Sequence, residues 1–141
     1  MKSDRVRNLL ISASLLAWVA SLFFSALLTR DQPVYGLQLL MIGPLGFLAG
    51  QLAWYANPAY YFALYWMLVF EPKHARVASS VSLGLAALTF FTDRIWLHEG
   101  FATPVTGYGI GFLLWLSAIS LACITTWALP RRWPTPSKAP V

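Results

Sequence analysis

The chain has 141 residues, of which 58% are hydrophobic and 11% charged, with a formal net charge of +5. Soluble globular domains carry about 25% charged residues, so this composition cannot cover a water-facing surface; it excludes a cytosolic enzyme, a secreted domain and a nucleic-acid-binding module. One domain is expected at this length, its solvent is a bilayer, and its basic excess serves segment ends and anionic headgroups.

The first element opens with Lys2, Arg5 and Arg7 and continues as the apolar run Leu9–Leu28. At about 20 residues this exceeds the 7–15-residue core of a signal peptide, and no small-residue cleavage site follows, so it reads as an uncleaved first span. Leu37–Ala56, Val77–Trp96 and Tyr108–Leu129 are likewise long enough to cross about 30 Å of hydrocarbon at 1.5 Å per residue. Between the second and third lies Pro58–Phe70, which reaches only about 20 Å as a helix and reads as a short interfacial or re-entrant helix. The expected fold is therefore all-α, a polytopic four-helix transmembrane bundle over residues 1–130. A basic, proline-rich cytoplasmic tail, 131–141, follows it. The alternative has five spans, with Pro58–Phe70 crossing.

Basic residues separate the two arrangements. Four spans with both termini cytoplasmic place Lys2, Arg5, Arg7, Lys73, Arg76, Arg131, Arg132 and Lys138 inside and only Arg30 and Arg94 outside. Five spans would leave Lys2, Arg5, Arg7 and Arg94 inside and the other six outside. The positive-inside bias favours four. Lys73, Arg76, Arg131 and Arg132 then face anionic lipid headgroups, their expected partners.

Asn57-Pro58 marks a turn, because the residue before a proline is pushed out of the helical region. Around it Trp54, Tyr55, Tyr60, Tyr61, Tyr65 and Trp66 read as an aromatic belt at headgroup level; the sharper alternative is a groove for a lipid or quinone. Gly43, Gly46 and Gly50 in the second span, with Gly107 and Gly111 at the last, recur at the spacing of close helix contacts. Gly43-Pro44 implies a kink that neighbouring helices must satisfy.

No charged residue lies near the middle of a proposed span, where an ion-coupled transporter keeps one; Gln51 is the most polar deep side chain. His74 and His98 fall on opposite faces of the bilayer and cannot share a haem, so no cofactor and no metal is expected. The lone thiol, Cys123, excludes a disulfide within the chain. The richest polar cluster is Asp93, Arg94, His98 and Glu99 on the outer side. It holds the parts of a general base with an orienting acid or of a weak metal site. With no nucleophile motif beside it, the cluster reads as a span end whose charges face water.

The segment Gly50-Gln51-Leu52-Ala53-Trp54-Tyr55-Ala56-Asn57-Pro58 resembles one shared by a loose set of small bacterial inner-membrane proteins. The stretch from His98-Glu99-Gly100 into the glycine-rich final span, Tyr108 to Leu116, resembles their later part, with Phe101 where members carry a second glycine. The resemblance implies a bacterial inner-membrane location and supplies no activity, cofactor or catalytic residue. The expected function is that of an accessory, assembly or immunity-type subunit, acting by helix packing against another membrane protein or a second copy of itself. A small permease or lipid-handling protein working as a homo-oligomer is the second reading. A membrane enzyme using His98 and Glu99 is the third.

Overall fold

The computed structural model describes residues 2–30, 32–98 and 101–128. Helix α1 (Lys2–Ser21) leads through a short turn into a hairpin of β1 (Ser25–Thr29) and β2 (Pro33–Tyr35). Helix α2 (Gly36–Ile42) follows, continued by a 3₁₀ segment (Gly43–Ala49) and a second one (Ala53–Tyr55). Helices α3 (Ala56–Leu68) and α4 (Pro72–Ala87) form an antiparallel pair. A further 3₁₀ turn (Leu88–Phe91) leads to the hairpin of β3 (Arg94–His98) and β4 (Phe101–Tyr108), and α5 (Ile110–Ala128) completes the described chain.

The two hairpins, some 70 residues apart in sequence, join edge to edge in one antiparallel sheet of order β2-β1-β4-β3. The seam pairs Leu27 with Tyr108, Leu28 with Gly107 and Thr29 with Val105. Thr103, Val105 and Thr106 supply the β-branched residues that suit a pleated surface. Pro33, which cannot donate to a ladder, opens the edge strand β2. The sheet has a small core of its own, in which Leu27, Val34 and Ile95 pack against Leu39, Val105 and Tyr108.

Below the sheet, α1 packs on α5 and α3 on α4. Their shared core holds Trp18, Tyr60, Leu64, Met67 and Ile119 among alanines at positions 56, 75, 86, 118 and 122. Small residues let the helices approach closely, and hydroxyls bond across the gaps. Ser14 donates to the Ala118 carbonyl at 2.9 Å and lies 2.8 Å from the Tyr60 hydroxyl. Ser82 donates to the Ala56 carbonyl at 2.8 Å, and the Ser79 and Thr126 hydroxyls are 2.8 Å apart. At the end away from the sheet, Phe70 takes φ 63°, the left-handed conformation that closes a helix, and Pro72 opens α4, where its missing N–H is no loss. The Arg7 guanidinium lies 4.3 Å over the Phe70 ring.

An all-α bundle of four membrane spans is not what the chain forms. It contains the four-stranded sheet, and among the described residues only α5 is long and apolar enough to cross a bilayer. Each expected span meets a different obstacle. The 9–28 run stops being helical at Ser21 and turns into β1, and the helical part of this region begins among charged residues. The 37–56 run breaks at Gly43 into 3₁₀ pieces, because Pro44 removes an amide donor and Gly50 takes φ 71°. The 77–96 run gives up its helix at Ala87 and finishes as β3. Pro58–Phe70 is no appended interfacial piece either, and the five-span alternative fails with it. The tract is most of α3, with Tyr60, Ala63, Leu64 and Met67 buried against neighbouring helices. At 13 and 16 residues α3 and α4 reach about 20 and 24 Å, short of the about 30 Å of a bilayer core. The tail from 131 onward lies outside the described residues.

The glycines part company in the same way. Gly50 has nothing within 4 Å of an added Cβ, so it ends a 3₁₀ segment and is no helix-contact residue. Gly107 sits in β4, while Gly111 presses against the backbone carbonyls of Ser21, Phe24 and Ser25. Adding a methyl at Gly111 overpacks that contact, and Gly111→Ala should lose about 1–3 kcal/mol of stability. Gly84, in the interior of α4, has open space around it; Gly84→Ala should gain about 0.5–1 kcal/mol by stiffening the helix. Thermal unfolding of both variants in mild detergent checks the opposite signs.

Candidate ligand-binding cavity

Between the sheet and the helices lies a cavity of about 760 Å³, inside the 300–1,000 Å³ range of small-molecule sites. Trp18 of α1, Leu22 in the turn after it, and Phe112 and Trp115 of α5 form one side, with Ala26, Leu27 and Ile95 of the strands beside them. The opposite wall is α2 and its 3₁₀ continuation, through Leu39, Leu40, Ile42, Leu45 and Leu48. That wall is one layer thick: α2 buries no residue, and Leu45 and Leu48 line the cavity while remaining 63% and 74% exposed.

The polar centre of the cavity is Asn57, 8% exposed at the second position of α3. Its Oδ1 accepts from two indoles, Trp18 Nε1 at 3.0 Å and Trp115 Nε1 at 2.8 Å. Its Nδ2 donates to the Trp54 carbonyl at 3.0 Å. A carboxamide offers two acceptor and two donor positions. Both lone pairs are thus used and one amide hydrogen has no protein acceptor among the described residues. Asn57-Pro58 therefore begins a helix where a turn was expected. In the first helical turn an amide N–H has no intrahelical partner to lose, so proline fits there.

The thin wall is tied down at three points. The Trp54 ring covers Gly43 so closely that a Cβ there would fall within it, and Trp54 Nε1 donates to the Leu40 carbonyl at 3.2 Å. The Tyr55 hydroxyl lies 3.4 Å from the Pro44 carbonyl. Gln51 donates its side-chain amide to the Arg94 carbonyl, joining the loop before α3 to β3. No charged side chain is among the lining residues, and the hydroxyls that are, Ser21, Thr89 and Thr92, have no base beside them in the cavity. Among the described residues the lining therefore presents apolar surface and neutral hydrogen-bonding groups.

The six aromatics of the belt, for which a shared groove is the alternative reading, meet only as neighbouring pairs, Trp54 with Tyr55, Tyr60 with Tyr61 and Tyr65 with Trp66. Trp54 lines the cavity and Tyr55 tethers its wall, whereas Tyr60 is fully buried on Ser14. Tyr61 packs edge-on to Trp18 at 5.1 Å, and Tyr65 and Trp66 lie further along α3, Trp66 with its ring 4.8 Å from His74. Successive helix positions differ by about 100°, so one helix cannot turn all of them to one side. Of the outer polar cluster, Asp93 and Arg94 are exposed at the start of β3, and the His98 backbone pairs with Phe101. Glu99 lies outside the described residues. Lys73 is exposed, and Arg76 donates to the Thr126 carbonyl at 3.0 Å with its guanidinium 5.5 Å over Trp127; Arg131 and Arg132 lie outside the described residues. Gly43 and Gly46 face the cavity, where helix partners were expected.

Reading the sequence for deep polar groups picked Gln51 and passed over Asn57. The signal was present in Trp18 and Trp115, which sit well inside their apolar runs. A buried indole N–H needs an acceptor, and Asn57 is the amide able to serve both. Comparison of the chain with known protein families, with curated proteins and with solved structures finds no match in any of the three.

Asn57→Leu strands two indole donors and the Trp54 carbonyl, each costing about 1–3 kcal/mol when buried without a partner. Trp18→Phe removes one donor and leaves Asn57 held by the other. In a detergent melting assay the asparagine variant should fall several degrees further than the tryptophan variant.

Proposed function

We propose that this chain is a membrane-resident binding protein for a small apolar molecule, which it holds between its sheet and its helices. The observation that carries the reading is the cavity itself. Its volume suits a ligand, its walls are mostly leucine, isoleucine and aromatic carbon, and its densest set of polar hydrogen bonds among the described residues is gathered at Asn57. This favours lipid handling over a purely structural role as an accessory subunit.

Several features support a place in the bacterial inner membrane. α5 has the length and apolarity of a crossing helix. The outer surfaces of the helices are apolar, with Leu9, Leu16, Phe62, Val77 and Ile124 each 60% exposed or more; exposed apolar surface on this scale calls for a lipid or protein partner. The end away from the sheet carries Arg5, Arg7, Lys73 and Arg76, which suits the cytoplasmic side. Lipid tails cover the apolar faces in this reading, and a second copy or another membrane protein could take their place on part of them.

The test is mass measurement of the protein released intact from native membranes in mild detergent, beside the variant Ala53→Phe. Ala53 lines the cavity beside Trp54, and a phenyl ring there intrudes on it near its polar end. The expected result is a bound small molecule on the natural chain and markedly less on the variant. A ligand at about 100 times its Kd also stabilises the folded state by about 2.7 kcal/mol, so the extract that supplies the ligand should raise the melting temperature of the natural chain more than that of the variant. A natural chain that carries nothing and gains no stability from a total membrane lipid extract overturns the reading.

A further inference from the structure

The lining restricts what the occupant is. Burying an ionised group without a partner costs far more than an apolar pocket returns, and among the described residues no charged side chain lines this cavity to supply one. A fatty carboxylate or a phosphate-bearing headgroup is therefore costly to bury inside it. Within the neutral class the decisive group is Asn57. Its Oδ1 already accepts from Trp18 and Trp115, so the amide oxygen has no lone pair left for an incoming donor. Its Nδ2 gives one hydrogen to the Trp54 carbonyl and keeps one. At Asn57 the lining therefore offers a donor and asks for an acceptor. A hydroxyl would satisfy that donor, but its own O–H would have to find a partner away from Asn57, at the Gln51 amide oxygen or a lining hydroxyl such as Ser21. A carbonyl oxygen accepts and brings nothing that needs a partner.

We propose that the occupant is an uncharged lipid-class molecule with a carbonyl oxygen, which accepts the remaining Asn57 amide hydrogen while the hydrocarbon lies along Leu39, Leu40, Ile42 and Leu48. This rests on the cavity being the binding site, as argued above. Trp18, Trp54 and Trp115 stand around the carbonyl end, so their emission reports its arrival.

The experiment titrates the full chain in mild detergent with four probes of one chain length: undecan-2-one, undecan-2-ol, undecane and undecanoate. Tryptophan emission is followed, and each affinity is referred to the probe's mole fraction in the micelle. The expected order places the ketone about tenfold tighter than the alkane, the worth of one well-made hydrogen bond, with the alcohol between them and the carboxylate weakest. Ala53→Phe, which narrows the cavity, should weaken the response to all four. Equal affinity for ketone and alkane, an alcohol at least as tight as the ketone, or a carboxylate tighter than either overturns the carbonyl assignment and leaves the cavity as a binding site. No response to any probe, or an undiminished response in Ala53→Phe, overturns the binding site itself.

Discussion

The indole nitrogens of Trp18 and Trp115 both end on the one amide oxygen of Asn57, and the same amide group caps back onto the Trp54 carbonyl. Three helices and the 3₁₀ turn before α3 are thereby brought to a common point. In a core whose other buried polar side chains are mostly serine and threonine hydroxyls bonded elsewhere, such a junction has little competition for those indoles. It sets the depth of α1 and α5 relative to α3. It also fixes where the helices stop touching and the cavity begins. The hydroxyl of Ser14 ties α1 to α5, and those of Ser79 and Ser82 tie α4 to α5 and to the start of α3, extending the spacing that the junction sets.

The sheet enforces the other boundary. Because β1 pairs with β4, the C-terminal end of α1 and the N-terminal end of α5 arrive side by side, and Gly111 is the residue small enough for their backbones to touch. The strands continue beyond that contact as one hydrogen-bonded sheet, and α2 with the 3₁₀ run lines the opposite side of the space between sheet and helices. The cavity is thus what remains between two packed units, the helix bundle and the sheet.

How much of this was legible follows from the residues concerned. Helix from Leu9 and helix in the 110–128 region could be read from apolar runs and a lack of breakers, and α5 still has the length and hydropathy of a span. The strands were hidden because Ser25–Thr29 and Arg94–His98 prolong such runs, and a continuous apolar stretch carries no period to tell strand from helix. α3 was seen as a helix but was set aside as too short, since its role depends on α4 lying against it, which no local pattern reveals. At the site, Trp54 and Gly43 were singled out for other reasons, an aromatic belt and a helix contact, and turn out to touch each other. Asn57 reads first for its backbone effect beside proline; the sign of its side chain's role lies in Trp18 and Trp115, far from it in sequence, and joins to it only once the helices are packed.

The seam between β1 and β4 has a further consequence for how the chain reaches this state. Leu27 and Tyr108 are partners across 80 intervening residues, and contacts of such separation are slow to form, because a long loop must close before they return anything. α3 and α4 are adjacent in sequence and can pair as soon as both exist. α1 and the first hairpin must wait until β4 and α5 have been made, and a chain synthesised from its N-terminus makes those last. Until then the first hairpin has an unpaired edge at β1, and the tryptophan of α1 lacks the partner strand of packing that α5 brings. The cavity is consequently the last part of the molecule to be assembled, completed by the same helix that is best suited to cross the membrane.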